Sequence, residues 1–256
     1  MRKTIIAGNW KMYKTIKEGQ ELVNALNREL YNLQNLDIVV CPPYTLLSCL
    51  ADMLTESNIA LGAQDLFWEE EGAFTGEVSA GMLKDAGCQF VIIGHSERRQ
   101  YFAETNGSVN KKLKAALKHA LTPIVCIGET LKEREANSTF KVLEGQLTGG
   151  LSGINQEEAA RIVIAYEPVW AIGTGKTATS AQAEEAHKYI RDLLAKLYDL
   201  ETAESIRLQY GGSVKPENIS ELMQQPDIDG ALVGGSSLRA DSFGDIARKA
   251  AGVLKS

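Results

Sequence analysis

The chain has 256 residues, of which 44% are hydrophobic and 23% are charged, and its net charge at pH 7 is −6. This composition is typical of a globular protein with a large core, and the negative charge argues against nucleic acid and anionic membrane surfaces as partners. No stretch approaches the roughly 20 apolar residues that span a bilayer, and the apolar run near the N-terminus is too short for a signal peptide. We therefore expect a cytoplasmic protein with no membrane or nucleic-acid partner.

The four cysteines, Cys41, Cys49, Cys88 and Cys126, show neither a CxxC pair nor the spacing of metal ligands. Cys41 and Cys126 lie in short apolar runs that resemble strands. We expect free, buried thiols in a reducing compartment.

Short apolar runs recur along the chain, and each is followed by an amphipathic segment. The strands are predicted at residues 4–9, 37–41, 59–64, 89–94, 122–127, 161–166, 206–210 and 230–233. The intervening helices are predicted around residues 22–30 and 46–50, then at 80–86, 109–119, 140–147, 186–197, 216–223 and 242–254.

Eight such strand–helix units, repeating at roughly 30 residues, fit a closed parallel barrel of about 250 residues. No linker, low-complexity tract or change of composition divides the chain. The predicted fold is therefore α/β: a single (β/α)8 barrel domain over residues 1–256. An open, doubly wound sheet is the alternative, but no GxGxxG motif follows the first strand, which weakens it.

Candidate catalytic residues follow three of the predicted strands. In a barrel of this kind the active site lies at the carboxyl ends of the strands. The first strand ends in Asn9 and Lys11, the fourth in His95 and Glu97, and the sixth in Glu167. A proline follows Glu167, and a loop with an apolar tip and two glycines comes next. This pattern indicates a lid over a general base, although a surface connection with an exposed glutamate also fits.

Two double-glycine turns point to phosphate. Gly211-Gly212-Ser213 follows the seventh strand and Gly234-Gly235 follows the eighth. Glycine lets backbone N–H groups approach an anion closely, and these two loops form the usual phosphate site of phosphate-binding barrels. Each turn alone would also suit a simple tight connection. Gly173, in the loop after the sixth strand, can supply one more N–H group.

The candidate groups suggest acid–base chemistry next to a phosphorylated carbonyl. Glu167 would act as the base, and His95 would donate a hydrogen bond as a neutral ring, because a helix N-terminus disfavours imidazolium. Lys11 and Asn9 would stabilise the developing enediolate oxygen, with Glu97 paired to Lys11. No metal is expected.

Three alternatives remain open at this point. A metal-dependent phosphosugar epimerase is disfavoured because the chain has only three histidines, and two of these fall on predicted helices. A Schiff-base aldolase would need a lysine deep on a barrel strand. A barrel that only binds phosphometabolites or a protein partner is the non-enzymatic alternative.

The motifs together resemble one known family from end to end, that of triosephosphate isomerase. The segments that carry the resemblance are Gly8-Asn9-Trp10-Lys11-Met12, Ile93-Gly94-His95-Ser96-Glu97-Arg98-Arg99, Tyr166-Glu167-Pro168-Val169-Trp170-Ala171-Ile172-Gly173, Tyr210-Gly211-Gly212-Ser213 and Leu232-Val233-Gly234-Gly235.

The resemblance implies interconversion of dihydroxyacetone phosphate and glyceraldehyde 3-phosphate without a cofactor. Glu167 would shuttle a proton between two carbons while His95 polarises the carbonyl. By the same resemblance, the backbone N–H groups of four residues would hold the phosphate and two apolar side chains would close over Glu167. These residues are Gly173, Ser213, Gly234 and Gly235 for phosphate, and Ile172 and Leu232 for closure.

Residues 65–75, here called the arm, are too long and too aromatic for a casual connection. In the family this segment forms the dimer contact and places Thr75 beside the partner's Lys11 and His95. A homodimer through the arm is therefore expected. Asp65 stands where the family pattern has asparagine, and Ala80 where it has proline.

Overall fold

A computed structural model describes residues 2–172 and 178–253. Eight parallel strands close into a barrel in which each strand pairs with the next along the chain and the last pairs with the first. The predicted (β/α)8 fold is confirmed. The strands are β1 Thr4–Asn9, β2 Leu36–Cys41, β3 Ile59–Ala63, β4 Phe90–Ile93, β5 Thr122–Ile127, β6 Val163–Tyr166, β7 Arg207–Tyr210 and β8 Gly230–Val233.

Helices surround the barrel, and within the described residues none is long and apolar enough to cross a membrane. Their bounds are α1 Ile16–Leu30, α2 Leu47–Leu54, α3 Ala80–Asp85, α4 Ser96–Tyr101, α5 Asn106–Lys118, α6 Leu131–Glu135, α7 Thr139–Gly150, α8 Gln156–Ala159, α9 Ser180–Leu197, α10 Leu200–Ser205, α11 Ile219–Met223 and α12 Ala240–Ala251.

Every predicted strand is present, but the predicted start of the sixth, at residue 161, is wrong. The short helix α8 precedes β6, and its final turn is closed by a hydrogen bond from the Arg161 N–H to the Glu158 carbonyl. Of the short helices, α4 was predicted only as a helix N-terminus at His95, and α6, α8 and α10 were not predicted. Segments of four to six residues show little of the helical period.

Alternating side chains of the strands are buried on both faces, as the near-continuous apolar runs predict. One set, which includes Ile6 and Val40, packs against the helices. The other set, which includes Ile5, Val39 and Leu232, fills the interior of the barrel. With both faces covered, the strand ends are the part of the barrel where polar side chains can meet a ligand.

Candidate active site

Glu167 follows β6 directly and its side chain is only 2% exposed. One carboxylate oxygen, Oε2, accepts a hydrogen bond from the Ser96 backbone N–H at 2.9 Å. The other, Oε1, lies 2.9 Å from Nε2 of His95. The structure therefore joins the ends of β4 and β6 through the two residues predicted to be the hydrogen-bond donor and the base.

Glycines on both sides let neighbouring strands approach Glu167. A Cβ on Gly128, which follows β5, would lie 1.7 Å from the Glu167 carbonyl oxygen. A Cβ on Gly211, which follows β7, would lie 2.8 Å from Cγ of Glu167. Because real Cβ contacts are longer than 3.0 Å, a side chain at either position would displace Glu167 or its strand.

His95 occupies the N-cap position of α4, where its Nδ1 accepts the N–H of Glu97 at 3.2 Å. An Nδ1 that accepts a hydrogen bond carries no proton, so the ring proton lies on Nε2 and faces Glu167. Burial lowers the pKa of His95, but the adjacent carboxylate of Glu167 outweighs it and leaves the pKa above its ordinary value. The pKa of His95 is thus raised while Glu167 contacts the ring, and the neutral ring expected at the helix N-terminus stays a prediction.

The contact that raises the pKa of His95 lowers the pKa of Glu167. Burial raises the pKa of the carboxyl group, but His95, the Ser96 N–H group and Lys11 together outweigh burial and hold the pKa below its usual value. Glu167 is therefore an ionised carboxylate even though it is buried.

Lys11 has a left-handed backbone, with φ of +52°, which is uncommon for a residue with a side chain. Two amide side chains support it: Oδ1 of Asn9 accepts the Lys11 N–H at 2.9 Å, and Nε2 of Gln64 donates to the Lys11 carbonyl at 2.8 Å. Its Nζ lies 2.6 Å from Oε1 of Glu97, as predicted. Gln64 was not predicted, since a glutamine at a strand end carries no distinctive pattern.

The two glycine turns lie at the same end of the barrel as Lys11. A Cβ on Gly234 would lie 3.5 Å from Cε of Lys11, while a Cβ on Gly235 would meet no atom within 4 Å. The hydroxyl of Ser236 donates to the Val214 carbonyl at 3.0 Å and ties the two turns together.

Ser213 belongs to the first of these turns, and its carbonyl accepts a hydrogen bond from Nδ2 of Asn218 at 2.9 Å. Ile172 is half-buried just after the turn Val169–Ala171, and Thr75 is exposed on the arm. Gly173 lies outside the described residues.

Glu129 is a fully buried carboxylate that the sequence reasoning missed. It accepts hydrogen bonds from the Tyr166 hydroxyl at 3.1 Å and from Nε1 of Trp170 at 2.8 Å, and Arg134 lies 3.1 Å away. These contacts anchor the start of the loop after β6. Glu129 follows the predicted fifth strand and ends a segment, Cys126-Ile127-Gly128-Glu129, that also resembles the family, but no role was predicted for it.

Arg99 was also missed as a supporting residue. Its Nε donates to the Gly94 carbonyl at 2.9 Å, and one terminal nitrogen donates to the Cys126 carbonyl at 3.3 Å. The guanidinium thus joins the ends of β4 and β5. Burial lowers its pKa, but an arginine remains charged at any ordinary pH. The sequence showed two adjacent arginines without indicating which one points inward.

A closed parallel barrel with a carboxylate, an imidazole and an ammonium group converging at its carboxyl end defines a barrel enzyme of the acid–base class. Comparison with known proteins gives the family. Residues 4–250 match the sequence profile of triosephosphate isomerase, and the chain belongs to the triosephosphate isomerase family. It is accordingly an isomerase.

Relatives match over nearly their whole length. The triosephosphate isomerase of Geotalea uraniireducens is 62% identical over 97% of this chain and 99% of its own. That of Moorella thermoacetica is 59% identical over 96% and 98%. The crystal structure of triosephosphate isomerase from Bartonella henselae superposes with a TM-score of 0.88 at 41% identity, covering 96% of this chain and 98% of that one.

Proposed function

We propose that this enzyme interconverts dihydroxyacetone phosphate and D-glyceraldehyde 3-phosphate by proton transfer through an enediolate, in glycolysis and gluconeogenesis, with Glu167, His95, Lys11 and Asn9 as its catalytic residues. The observation that carries the proposal is the 2.9 Å contact between the Glu167 carboxylate and Nε2 of His95. It brings a base and a hydrogen-bond donor together at one end of the barrel, as proton transfer next to a carbonyl requires.

Glu167 takes the proton from the carbon next to the carbonyl and returns it to the neighbouring carbon. To reach a substrate the carboxylate must leave the Ser96 N–H group and the His95 ring, which now hold its pKa low. Losing these partners while remaining in a site without water makes the carboxylate more basic. Substrate binding therefore converts a stabilised carboxylate into an effective base.

His95, Lys11 and Asn9 act on the oxygens. Once Glu167 has moved away, the contact that raises the pKa of His95 is lost, and the neutral ring donates its Nε2 proton to the substrate carbonyl. Lys11 and Asn9 stabilise the charge that develops on the enediolate oxygen. Removing one donor of this kind typically costs about 3 kcal/mol of transition-state stabilisation.

The phosphate group binds to backbone N–H groups of Gly173, Ser213, Gly234 and Gly235. A protein with a net charge of −6 must capture an anion through local groups, and Lys11 lies beside Gly234. In the proposed mechanism, the loop after β6 is a lid that carries Ile172 over Glu167 towards Leu232. Excluding water also protects the enediolate from losing its phosphate.

The enzyme acts as a homodimer through the arm. Apolar side chains are unusually exposed in two places: beside Lys11 and His95, where Met12 is 93% and Phe102 64% exposed, and on the arm, where Phe74 is 43% exposed. A cavity of about 250 Å³ opens beside Lys11 and His95, and in the proposed dimer it receives Thr75 of the partner subunit. Large exposed apolar side chains at both places favour an interaction surface.

The compartment we propose is the cytoplasm. All four cysteines are free, and a reducing compartment keeps them so. The substrate is the only small-molecule partner that the proposal requires, and it invokes no cofactor, nucleic acid or membrane.

A coupled isomerase assay on the purified protein, after exhaustive chelation and after borohydride treatment with substrate present, tests the proposed function. We expect full activity under both conditions. Loss on chelation would favour a metal-dependent epimerase, and irreversible loss with borohydride would favour a Schiff-base aldolase. An inactive parent protein would favour a barrel that only binds its ligand.

A further inference from the structure

Gln146, on α7 outside the barrel, holds both backbone groups of Gly128. Its Oε1 accepts the Gly128 N–H at 2.7 Å, and its Nε2 donates to the Gly128 carbonyl at 3.1 Å. A side-chain amide that pairs with both the N–H and the C=O of one residue reproduces what a neighbouring strand would offer. Gly128 is thus held as though it were still part of a sheet.

Gly128 needs these two side-chain hydrogen bonds because the neighbouring strands have unequal lengths. On the β6 side, the carbonyls of Ile127 and Glu129 accept the N–H groups of Glu167 and Val169, at 2.8 Å and 3.1 Å. Alternate residues of a parallel strand bond to opposite neighbours, so Gly128 faces the β4 side. The last pair between β4 and β5 is Ile93 with Val125, so Gly128 lies beyond the end of β4.

Gly128 is in direct contact with the base. Its Cα lies so close to the Glu167 peptide that a Cβ would be 1.7 Å from the Glu167 carbonyl oxygen. Any displacement of the Gly128 peptide is therefore passed on to the backbone that carries Glu167. Hydrogen bonds on both sides of Gly128 fix the position of this contact.

A cavity of about 260 Å³ lies next to Gly128. Its lining includes Ser96, Arg99, Gly128, Gln146 and Glu167. It has room for water. If the Gln146 amide were removed, water could satisfy the Gly128 backbone groups, so the loss of stability would be small. The position of Gly128, and with it that of Glu167, would no longer be fixed by a rigid partner.

We propose that Gln146 is a positioning residue for Glu167, acting through the Gly128 peptide. The inference rests on the proposed function, in which Glu167 is the base. Misplacing a reacting group by 1 Å can cost about 10²-fold in rate, and catalytic geometry must hold within about 0.5 Å. Loosening Gly128 by a fraction of this distance should lower kcat by about 10-fold and leave KM nearly unchanged, because Gln146 bonds to the Gly128 peptide and, among the described residues, to none of the groups proposed to bind the substrate.

Two substitutions test the proposal. Gln146→Met keeps the length of the side chain and removes both hydrogen bonds. Gln146→Glu keeps an acceptor for the Gly128 N–H but sets a carboxylate oxygen against the Gly128 carbonyl. Protonation restores a donor at that oxygen, so kcat of Gln146→Glu relative to the parent should rise as the pH is lowered from 8 to 6. A merely structural role would not produce this recovery.

Thr148→Ala is the matched control, because Thr148 is exposed on the same helix and its hydroxyl donates to the Glu144 carbonyl of that helix. It should leave kcat and KM unchanged. Unchanged kcat in both Gln146 variants, a loss confined to KM, or no recovery of Gln146→Glu at low pH would overturn the proposal. Glu167→Asp, measured in parallel, distinguishes failure of the Gln146 proposal from failure of the proposed function. If Glu167→Asp is also fully active, the proposed function itself fails.

Discussion

Glu167 and His95 show that the contacts of a single residue determine its acid–base behaviour. Glu167 is buried, and burial alone would raise its pKa and favour the neutral acid. Hydrogen bonds from His95 and the Ser96 N–H group, together with the charge of Lys11, reverse that effect in the present arrangement. The same carboxylate, separated from them in a dry site, becomes a stronger base, so its strength depends on which neighbours it contacts.

His187, a buried histidine away from the site, shows how burial affects the pKa of a side chain that has no carboxylate partner at hydrogen-bond distance among the described residues. Its Nδ1 lies 3.1 Å from the Asp227 carbonyl and its ring meets Tyr166 edge-on. Burial lowers the pKa of His187 to about 4. The unfolded chain would take up this proton near pH 6.5, so the contribution of the neutral ring is present above pH 6.5 and is lost as the pH falls towards 4.

We predict that His187→Gln flattens the dependence of the unfolding free energy on pH between 6.5 and 4, removing a change of roughly 3 kcal/mol. Urea unfolding at fixed protein concentration and several pH values measures this. His119→Gln, at a more exposed histidine paired with Glu70, is the control and should keep the steep dependence. Equal slopes for His187→Gln and the parent would contradict the prediction.

At the scale of elements, the active site depends on how closely the strand ends approach one another. The ends of β5, β6 and β7 meet at Gly128, Glu167 and Gly211, and the two glycines lack the atoms that would separate them. The Gly211 N–H also donates to the Tyr166 carbonyl at 2.7 Å, which continues the pairing of β6 and β7 beyond the strands.

We predict that Gly211→Ala lowers kcat by on the order of 10²-fold while the protein still folds, because the new Cβ meets the movable Cγ of Glu167 at 2.8 Å. Steady-state kinetics and thermal unfolding measure the two effects. Gly145→Ala serves as the control, since a Cβ there meets nothing within 4 Å on an exposed helix position; it should retain activity. Full activity of Gly211→Ala would show that strand spacing does not position the base.

The sequence predicted the elements whose pattern is long enough to read. All eight strands were found because their apolar runs follow directly from burial on both faces. Helix α8 was missed because four residues carry no period, although Asn155 caps it and pairs with Glu158 in a capping box. The predicted and observed starts of some elements differ by a few residues. Helix α5, predicted from residue 109, begins at Asn106 with Thr105 as its N-cap.

At the scale of the whole molecule, the closed barrel brings distant residues together. Lys11, His95 and Glu167 were predicted because each follows a strand, and parallel strands end at one rim. Gln64 and Gln146 were not predicted, because their roles depend on which backbone groups lack a partner. That information exists only once strand lengths and register are known.

The exposed arm leads to a prediction about the oligomeric state of the whole molecule. Phe74→Asp should shift the protein from dimer to monomer and lower its activity, because a charge replaces an apolar side chain on the proposed interface. Analytical ultracentrifugation measures the shift. Leu200→Asp, at an exposed leucine on α10, should leave the dimer intact. A Phe74→Asp protein that remains dimeric would contradict the assignment of the arm.

The central claim is that one carboxylate, that of Glu167, moves the proton at a pocket shared with His95 and Lys11. The most direct measurement is kcat of Glu167→Asp, which withdraws the carboxylate by about 1 Å without changing its charge. We predict a loss on the order of 10²-fold with the fold and thermal stability retained. Turnover close to that of the parent would contradict the claim.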